Sequence, residues 1–185
     1  MEVNAMGKKI LVISASPRKG GNSDLLCDQF IKGAKEAGHD AGKIYVIDKR
    51  IEYCTGCGAC YNGGNPCSLK DDMAEVLDKM IAADVIVMAT PVYFYTMAGQ
   101  MKTLIDRTCS RYTEIKNKKF YFIAAAADSN KNSIERTIEE FRGFISCLSG
   151  AKEKGVIYGT GAWQMGDIKE KPSMTAAYEA GKSVK

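Results

Sequence analysis

The sequence predicts a single α/β domain in which helices cover both faces of a doubly wound, five-stranded parallel sheet. Two observations lead to this prediction. Strand-like apolar runs alternate with amphipathic helical patterns over nearly the whole chain, which is the rhythm of consecutive βα units. The 185 residues are 45% hydrophobic, enough to bury one core, so residues 1–185 are expected to form one domain of three layers.

Each predicted element has its own signal. The strands are near-continuous apolar runs, as expected for strands covered on both faces, and comprise residues 9–14, 43–47, 85–89, 120–126 and 154–158. Apolar stripes at helical spacing lie between them, over residues 26–37, 73–81, 97–105 and 134–148. Gly38 closes the first helix and Gly150 the fourth. Asp72 and Glu75 form a capping-box pattern before the second helix, and a final helix is expected to begin near Pro172.

This topology predicts where a ligand would bind. In a doubly wound sheet, every loop that follows a strand emerges at the same carboxyl edge, and ligands bind there. The loops over residues 16–23, 48–71, 90–96, 127–132 and 159–171 are therefore expected to share one rim.

Composition excludes several classes of protein. The net charge is only +4, and the 26 basic residues are interspersed with 22 acidic ones, so no nucleic-acid-binding patch is expected. The longest apolar stretches, such as residues 120–127, are far too short to span a membrane. The N-terminus shows no export signal. We expect a cytoplasmic protein whose seven cysteines stay reduced.

The loop after the first strand predicts a phosphate site. A strand, a polar loop and a helix start follow one another, which points backbone N–H groups and the positive end of a helix dipole at one spot. Ser16, Asn22 and Ser23 add side-chain donors, while Gly20 and Gly21 let the main chain bend and approach closely. The alternative is a glycine-rich turn in which Ser23 is an ordinary N-cap.

Two nucleotide-binding motifs are missing from this loop, which limits the kind of phosphate ligand it can bind. The sequence has no G-x-x-x-x-G-K-[ST], which disfavours ATP and GTP, and no G-x-G-x-x-G, which disfavours a dinucleotide at this turn. A loop rich in hydroxyl groups fits a terminal monophosphate instead, such as that of FMN.

The loop after the third predicted strand is aromatic. Pro91 is expected to end the strand, and Tyr93, Phe94 and Tyr95 follow in a row. Aromatic rings on a rim beside a phosphate site can hold a flat heterocycle by stacking and edge contacts. Alternatively, Tyr93 or Tyr95 packs under the loop or forms a subunit contact.

Four cysteines follow the second predicted strand. Cys54, Cys57, Cys60 and Cys67 have the spacing C-x2-C-x2-C-x6-C, with Gly63 and Gly64 among the interleaved glycines. Thiolates spaced in this way can hold a compact [4Fe-4S] cluster. The alternatives are a zinc site and a loop of reduced, metal-free thiols around a partly vestigial or redox-active motif.

The remaining cysteines and the single histidine carry no such signal. Cys27, Cys109 and Cys147 fall singly on helical patterns and are predicted to be small core residues. His39 lies in a turn and is expected to face solvent. With one histidine, a histidine-based metal site or a Ser-His-Asp hydrolase is hardly tenable.

Together these motifs resemble the NAD(P)H-dependent FMN reductase family and, within it, the iron–sulfur flavoproteins. The phosphate-loop match is Ala15-Ser16-Pro17-Arg18 with Gly21-Asn22-Ser23. The flavin-ring match is Thr90 to Tyr95 followed by Lys102 and Asp106-Arg107, and the cysteine match continues from Cys67 into Asp71-Asp72-Met73.

The resemblance implies a flavodoxin-like fold with strand order 2-1-3-4-5 and an FMN laid across the edge of the sheet. It places the phosphate on Ser16, Arg18, Asn22 and Ser23, and the ring against Pro91, Val92, Tyr93, Phe94 and Tyr95. It also implies a homodimer or homotetramer.

The implied activity is that of an FMN-dependent oxidoreductase, in which NAD(P)H passes hydride to the flavin and a small molecule or a ferredoxin-like protein is then reduced. A cluster would divide this transfer into single-electron steps. No catalytic side chain is nominated, because the cofactor carries the chemistry. Two alternatives are an FMN-binding electron carrier that is reduced by ferredoxin, and a nucleotide-sensing or redox-sensing protein without turnover.

Overall fold

A computed structural model describes residues 7–61 and 66–185 of the chain. Five parallel strands form its sheet, in the spatial order β2-β1-β3-β5-β6. Counted over these five strands, the predicted order 2-1-3-4-5 is confirmed. A two-stranded hairpin is added where β4 pairs antiparallel with the end of β3. The strands are β1 (Lys9–Ser14), β2 (Asp40–Tyr45), β3 (Val85–Tyr93), β4 (Thr96–Met97), β5 (Lys119–Ala125) and β6 (Lys152–Gly159).

Helices cover both faces of the sheet, as predicted. They are α1 (Asn22–Glu36), α2 (Met73–Ala82), α3 (Gly99–Arg107), α4 (Asn132–Ser146) and α5 (Pro172–Lys182). Successive side chains of a strand point to opposite faces, so Ile10 and Val12 pack with α1 and α5, while Leu11 and Ile13 pack with α2, α3 and α4. In the described part of the chain, no helix has the length and apolar character needed to cross a membrane.

The prediction that Pro91 ends its strand is wrong. β3 continues through Pro91, which lies opposite Ala125 of β5, and on to Tyr93. The strand persists because the chain turns back after Tyr93 and pairs Val92 with Met97. As a result, the last residues of β3 project beyond the rim.

The capping box before α2 is also absent. The side chain of Asp72 makes no capping bond and instead accepts a hydrogen bond from the backbone N–H of Arg50 at 2.8 Å. Glu75 pairs with Lys49 at 2.6 Å and with Lys79 at 2.5 Å. Both carboxylates therefore contact the segment before α2, at Lys49 and Arg50, instead of the backbone amides at the start of the helix.

His39 is half-buried rather than facing solvent. Its Nδ1 accepts a hydrogen bond from the backbone N–H of Lys8 at 3.1 Å, and its Nε2 lies 2.9 Å from the carbonyl oxygen of Val184. The imidazole therefore joins the start of β1 to the C-terminal segment, a structural role that leaves it away from the rim.

Two glycines allow α1 and α5 to pack backbone to backbone. A Cβ atom on Gly33 would overlap the carbonyl oxygen of Tyr178, and one on Gly181 would overlap the carbonyl oxygen of Phe30. Because both obstacles are backbone atoms, neither contact can be relieved by a side-chain rotation. The two helices thus lie side by side on the same face of the sheet.

We expect Gly33→Ala to lower the free energy of unfolding by about 3 kcal/mol, because the added methyl group forces the two helix backbones apart. Gly143→Ala is the matched control: this glycine also lies within a helix, and its Cβ would meet open space. The control should be neutral or raise stability by about 0.5–1 kcal/mol. Urea denaturation of both variants measures this, and equal effects would contradict the close-contact argument.

Candidate functional site

The loop after β1 is a compact turn built on Ser16. Its Oγ donates to the carbonyl oxygen of Arg18 at 2.8 Å and accepts from the N–H of Arg18 at 3.1 Å. The N–H of Gly21 donates to the same carbonyl at 3.0 Å. A Cβ on Gly21 would lie 2.8 Å from the Ser16 Oγ and 2.9 Å from the Arg18 oxygen, so only glycine fits at this point of the turn.

A buried carboxylate holds this turn from below. Asp24 is 1% exposed and accepts hydrogen bonds from the Ser14 Oγ at 3.0 Å, the N–H of Gly20 at 2.9 Å and the Lys43 Nζ at 2.8 Å. Burial alone lowers the pKa of Lys43, but its hydrogen bonds to Asp24 and Asp28 raise the pKa above the ordinary value. Lys43 therefore stays charged and neutralises Asp24.

No sequence pattern marked Asp24 or Lys43 as a residue of the site. An acidic residue in the first turn of a helix is usually explained by its favourable interaction with the helix dipole. Lys43 falls inside a predicted strand, where no binding role is expected. Only the pairing of β1 with β2 brings the lysine under the loop.

The N-terminus of α1 offers backbone donors from which no residue within 7–61 and 66–185 accepts a hydrogen bond. The first amides of a helix have no intrahelical acceptor, and in α1 these amides belong to Asn22, Ser23 and Asp24. The Ser23 Oγ is buried and has no hydrogen-bond partner among the described residues. Ser23 is not the N-cap, because Gly21 occupies that position. A buried hydroxyl without a partner is costly, and an oxygen-rich anion seated at the helix start would satisfy it.

The aromatic loop forms the hairpin between β3 and β4. Phe94 and Tyr95 have positive φ angles of 50° and 66°, and Phe94 is 98% exposed. α4 fixes this turn, because the Thr137 Oγ1 donates to the carbonyl oxygen of Tyr95 at 3.2 Å and Glu140 accepts from the N–H of Met97 at 2.8 Å. The rings are thus held at the surface and not packed under the loop.

The two loops line one cavity of about 510 Å³. It brings together the predicted phosphate-loop residues and most of the predicted ring-binding residues. Tyr95 lies instead beside Arg136, whose guanidinium carbon is 5.9 Å from the centre of its ring. The predicted residues that line the cavity are Ser16, Arg18, Asn22, Ser23, Pro91, Val92, Tyr93 and Phe94.

A third wall comes from the loop after β6. Ala162, Trp163 and Gln164 line the cavity. The sequence predicted that residues 159–171 lie on the same rim but assigned no binding role to Trp163. An isolated tryptophan in a loop gave no pattern from which such a role could be inferred.

The four clustered cysteines line a second pocket of about 220 Å³. Among the residues at 7–61 and 66–185, no group of three or more His, Cys, Asp or Glu side chains is arranged to hold a metal ion. The predicted ligands Cys54, Cys57, Cys60 and Cys67 nevertheless share this pocket. Gly63 and Gly64, which interleave the motif, lie outside the described residues.

The Cys57 and Cys67 thiols have polar partners in this pocket. The Sγ of Cys57 lies 3.3 Å from the Oγ of Ser68, and hydrogen bonds with Ser68 and the backbone of Ala59 lower the pKa of Cys57. Arg107 donates from Nη2 to the Sγ of Cys67 at 3.6 Å. The lowered pKa of Cys57 favours its thiolate, the form in which cysteine binds metal.

The predicted burial of the three isolated cysteines is confirmed for Cys27 only. Cys109 and Cys147 are exposed. Cys109 lies two residues after the end of α3 and lines the cysteine pocket as a fifth thiol. The prediction was wrong because α3 ends at Arg107 and α4 at Ser146, so both cysteines lie beyond the apolar stripe of their helix.

Arg107 and Asp71 form a buried ion pair beside the cysteine pocket. The two side chains are 2% and 1% exposed, and Arg107 donates to both carboxylate oxygens, at 2.6 and 2.9 Å. Burial alone raises the pKa of Asp71, but the hydrogen bonds from Arg107 and from the N–H groups of Glu52 and Met73 lower it to about 2. The pair joins the end of α3 to the start of α2.

The chain is similar to proteins of described chemistry. A family model described as NADPH-dependent FMN reductase matches residues 8–148. An iron–sulfur flavoprotein from Archaeoglobus fulgidus is 39% identical over 99 residues, which cover 54% of this chain and only 44% of that protein. Another, from Methanocaldococcus jannaschii, is 35% identical over 139 residues, covering 74% and 71%.

The fold has a close structural counterpart. The NAD(P)H:quinone oxidoreductase from Methanothermobacter marburgensis superposes with a TM-score of 0.74 over 97% of this chain and 100% of that one. Because the two sequences are 15% identical, this likeness establishes the flavodoxin-like architecture and nothing finer.

We expect the Asp71–Arg107 pair to make the free energy of unfolding fall at low pH. The folded-state pKa of Asp71 lies below its ordinary value of 3.8, so its contribution is present above that value and is lost as the pH falls to about 2. The loss amounts to about 2 kcal/mol. The free energy of unfolding, measured between pH 6 and pH 2, should fall less steeply for Asp71→Asn than for the wild type. At pH 6 the variant should already be less stable, because the ion pair is missing. An unchanged slope for Asp71→Asn would contradict this assignment.

Proposed function

This chain belongs to the NADPH-dependent FMN reductase family, and on that premise we propose that it is an oxidoreductase that binds FMN in the cavity at the rim of the sheet and oxidises NAD(P)H. One observation carries the assignment. The loop with the unpaired Ser23 hydroxyl and the aromatic hairpin, which are about 70 residues apart in sequence, line the same cavity.

The residues present fit the cofactor. A phosphate would be bound by the first-turn amides of α1, by the Ser23 hydroxyl and by the exposed Arg18 cation, with Ser16 shaping the turn. The planar ring would lie against Pro91, Val92, Tyr93 and Phe94, which line the cavity. Aromatic side chains bind flat heterocycles through their faces and edges.

The protein contributes binding and orientation. When bound, FMN supplies the hydride and electron transfer. Among the described residues that line the cavity, none is an acid, a histidine or a lysine, which fits a site where the cofactor carries the reaction. The strained turn at Phe94 keeps an aromatic ring at the open side of the cavity, where a nicotinamide ring could approach.

We further propose that Cys54, Cys57, Cys60 and Cys67 hold a [4Fe-4S] cluster. Three features support this: the four thiols share one pocket, Arg107 places a cation beside Cys67, and the similar archaeal proteins are named iron–sulfur flavoproteins. A cluster here would pass single electrons to a ferredoxin-like or small-molecule acceptor. A homodimer or homotetramer and a cytoplasmic location also remain predictions.

The FMN assignment predicts turnover that depends on Ser23. The FMN-loaded protein should oxidise NADH or NADPH in a steady-state assay. Ser23→Ala should weaken FMN binding about tenfold, because a hydrogen bond to a charged group is lost, and excess FMN should restore the rate. Flavin fluorescence titration measures the dissociation constant.

Ser173→Ala is the matched control, since its Oγ is also buried, has no partner in the described part of the chain and lies in the first turn of α5. It should leave FMN binding unchanged. Protein that binds FMN but oxidises neither nucleotide, yet is reduced by ferredoxin, would favour an electron carrier. Protein that binds no FMN would exclude both functions.

The cluster assignment predicts two absorption features that can be removed separately. Anaerobically purified protein should show flavin bands together with a broad iron–sulfur shoulder in its absorption spectrum. Cys60→Ser should remove the shoulder and leave the flavin bands, whereas Cys147→Ser, at an exposed cysteine outside the pocket, should leave both. Iron and zinc analysis completes the test: zinc without iron, or neither metal, would contradict the cluster.

A further inference from the structure

The side chain of Asn22 is hydrogen bonded at every position it offers. Its Nδ2 donates to the carbonyl oxygens of Ala162 at 3.1 Å and Gln164 at 2.9 Å. Its Oδ1 accepts from the N–H groups of Gly166 at 3.0 Å and Ile168 at 3.4 Å. Two carbonyls on one side and two amides on the other allow only one orientation of the side-chain amide. No side-chain N–H of Asn22 is left for a phosphate.

These bonds hold a loop that is also fixed from within. The Asp167 Oδ2 accepts from the N–H of Trp163 at 3.0 Å and from that of Gln164 at 2.7 Å. The N–H of Ala162 donates to the carbonyl oxygen of Ala126 at 3.0 Å. Gly166 adopts a φ of 97°, which favours glycine. The result is a rigid turn docked on the start of α1.

The turn presents Trp163 to the cavity. Trp163 lines the cavity and is 72% exposed, although such a large aromatic side chain usually gains from burial. Ala162, the residue before it, is buried and bonded to Asn22. The position of the indole therefore depends on a side chain at the start of α1, 141 residues earlier in the sequence.

We propose that Asn22 is a positioning residue rather than a side-chain ligand of the phosphate, and that Trp163, which it holds at the wall, binds the flavin part of the cofactor. This inference rests on the proposed function. Asn22 still contributes its backbone N–H at the first turn of α1, so the phosphate site keeps its main-chain donors. The Asn22 side chain links the phosphate-binding end of the cavity to the wall that contacts the ring and its ribityl chain.

A comparison of FMN with riboflavin tests this, since riboflavin lacks the phosphate. Asn22→Ala and Trp163→Ala should each weaken the binding of both flavins by about the same factor, on the order of fivefold. Trp163→Phe should retain most of the affinity. Ser23→Ala should weaken FMN binding alone. If Asn22→Ala weakens FMN but leaves riboflavin unchanged, Asn22 is a phosphate ligand and the proposal is wrong.

Asp167→Ala is a second way to loosen the loop that carries Trp163. It removes the acceptor of the Trp163 and Gln164 amides and leaves α1 unchanged. It should reproduce the equal loss for both flavins even if Asn22→Ala fails to fold. An Asp167→Ala protein with wild-type affinity for both flavins would overturn the role of Trp163.

Hydrogen exchange in the cofactor-free protein separates this inference from the proposed function. The amides of Gly166 and Ile168 should exchange faster in Asn22→Ala than in the wild type and in Ser23→Ala, and unchanged exchange would overturn the positioning role. If wild-type protein binds neither flavin, the proposed function and the role of Trp163 both fall, while the exchange data still decide whether Asn22 positions the loop.

Discussion

The buried carboxylate of Asp24 is the constraint on which the rim of this molecule depends. A charge removed from water destabilises a protein unless it is paired and hydrogen bonded, and Asp24 meets this condition with a hydroxyl, a backbone amide and the Lys43 cation. The amide belongs to Gly20, so satisfying the charge also fixes the curvature of the loop. That curvature leaves the Ser23 hydroxyl and the first amides of α1 facing the cavity.

The other walls are fixed by the same kind of contact between distant segments. Thr137 and Glu140 of α4 hold the aromatic hairpin, and Asn22 holds the turn that carries Trp163. Left-handed backbone at Phe94 and Tyr95 is disfavoured by about 1–2 kcal/mol per residue. Such strain persists where the surroundings determine the conformation, and it is concentrated at functional sites.

The helix α3 connects the two pockets. It begins two residues after the aromatic hairpin ends at Met97 and ends at Arg107, which pairs with Asp71 and contacts the Cys67 thiol. Cys109 then reaches the cysteine pocket from the same segment. If a cluster and a flavin are both present, one rigid element of nine residues links their surroundings.

The sequence by itself determined the layered sheet and the two loops that meet at the rim, because residue periodicity and glycine-rich turns are local properties of the chain. The strand order followed only from the resemblance of its motifs to a known family. It could not determine the partners of Asp72, His39, Asn22 or Cys109. Those partners lie in other segments, as with Asn22 and Gln164, which are 142 positions apart. A side chain's hydrogen-bonding capacity can be read from the sequence, but which distant backbone group it meets is decided only when the helices and strands pack.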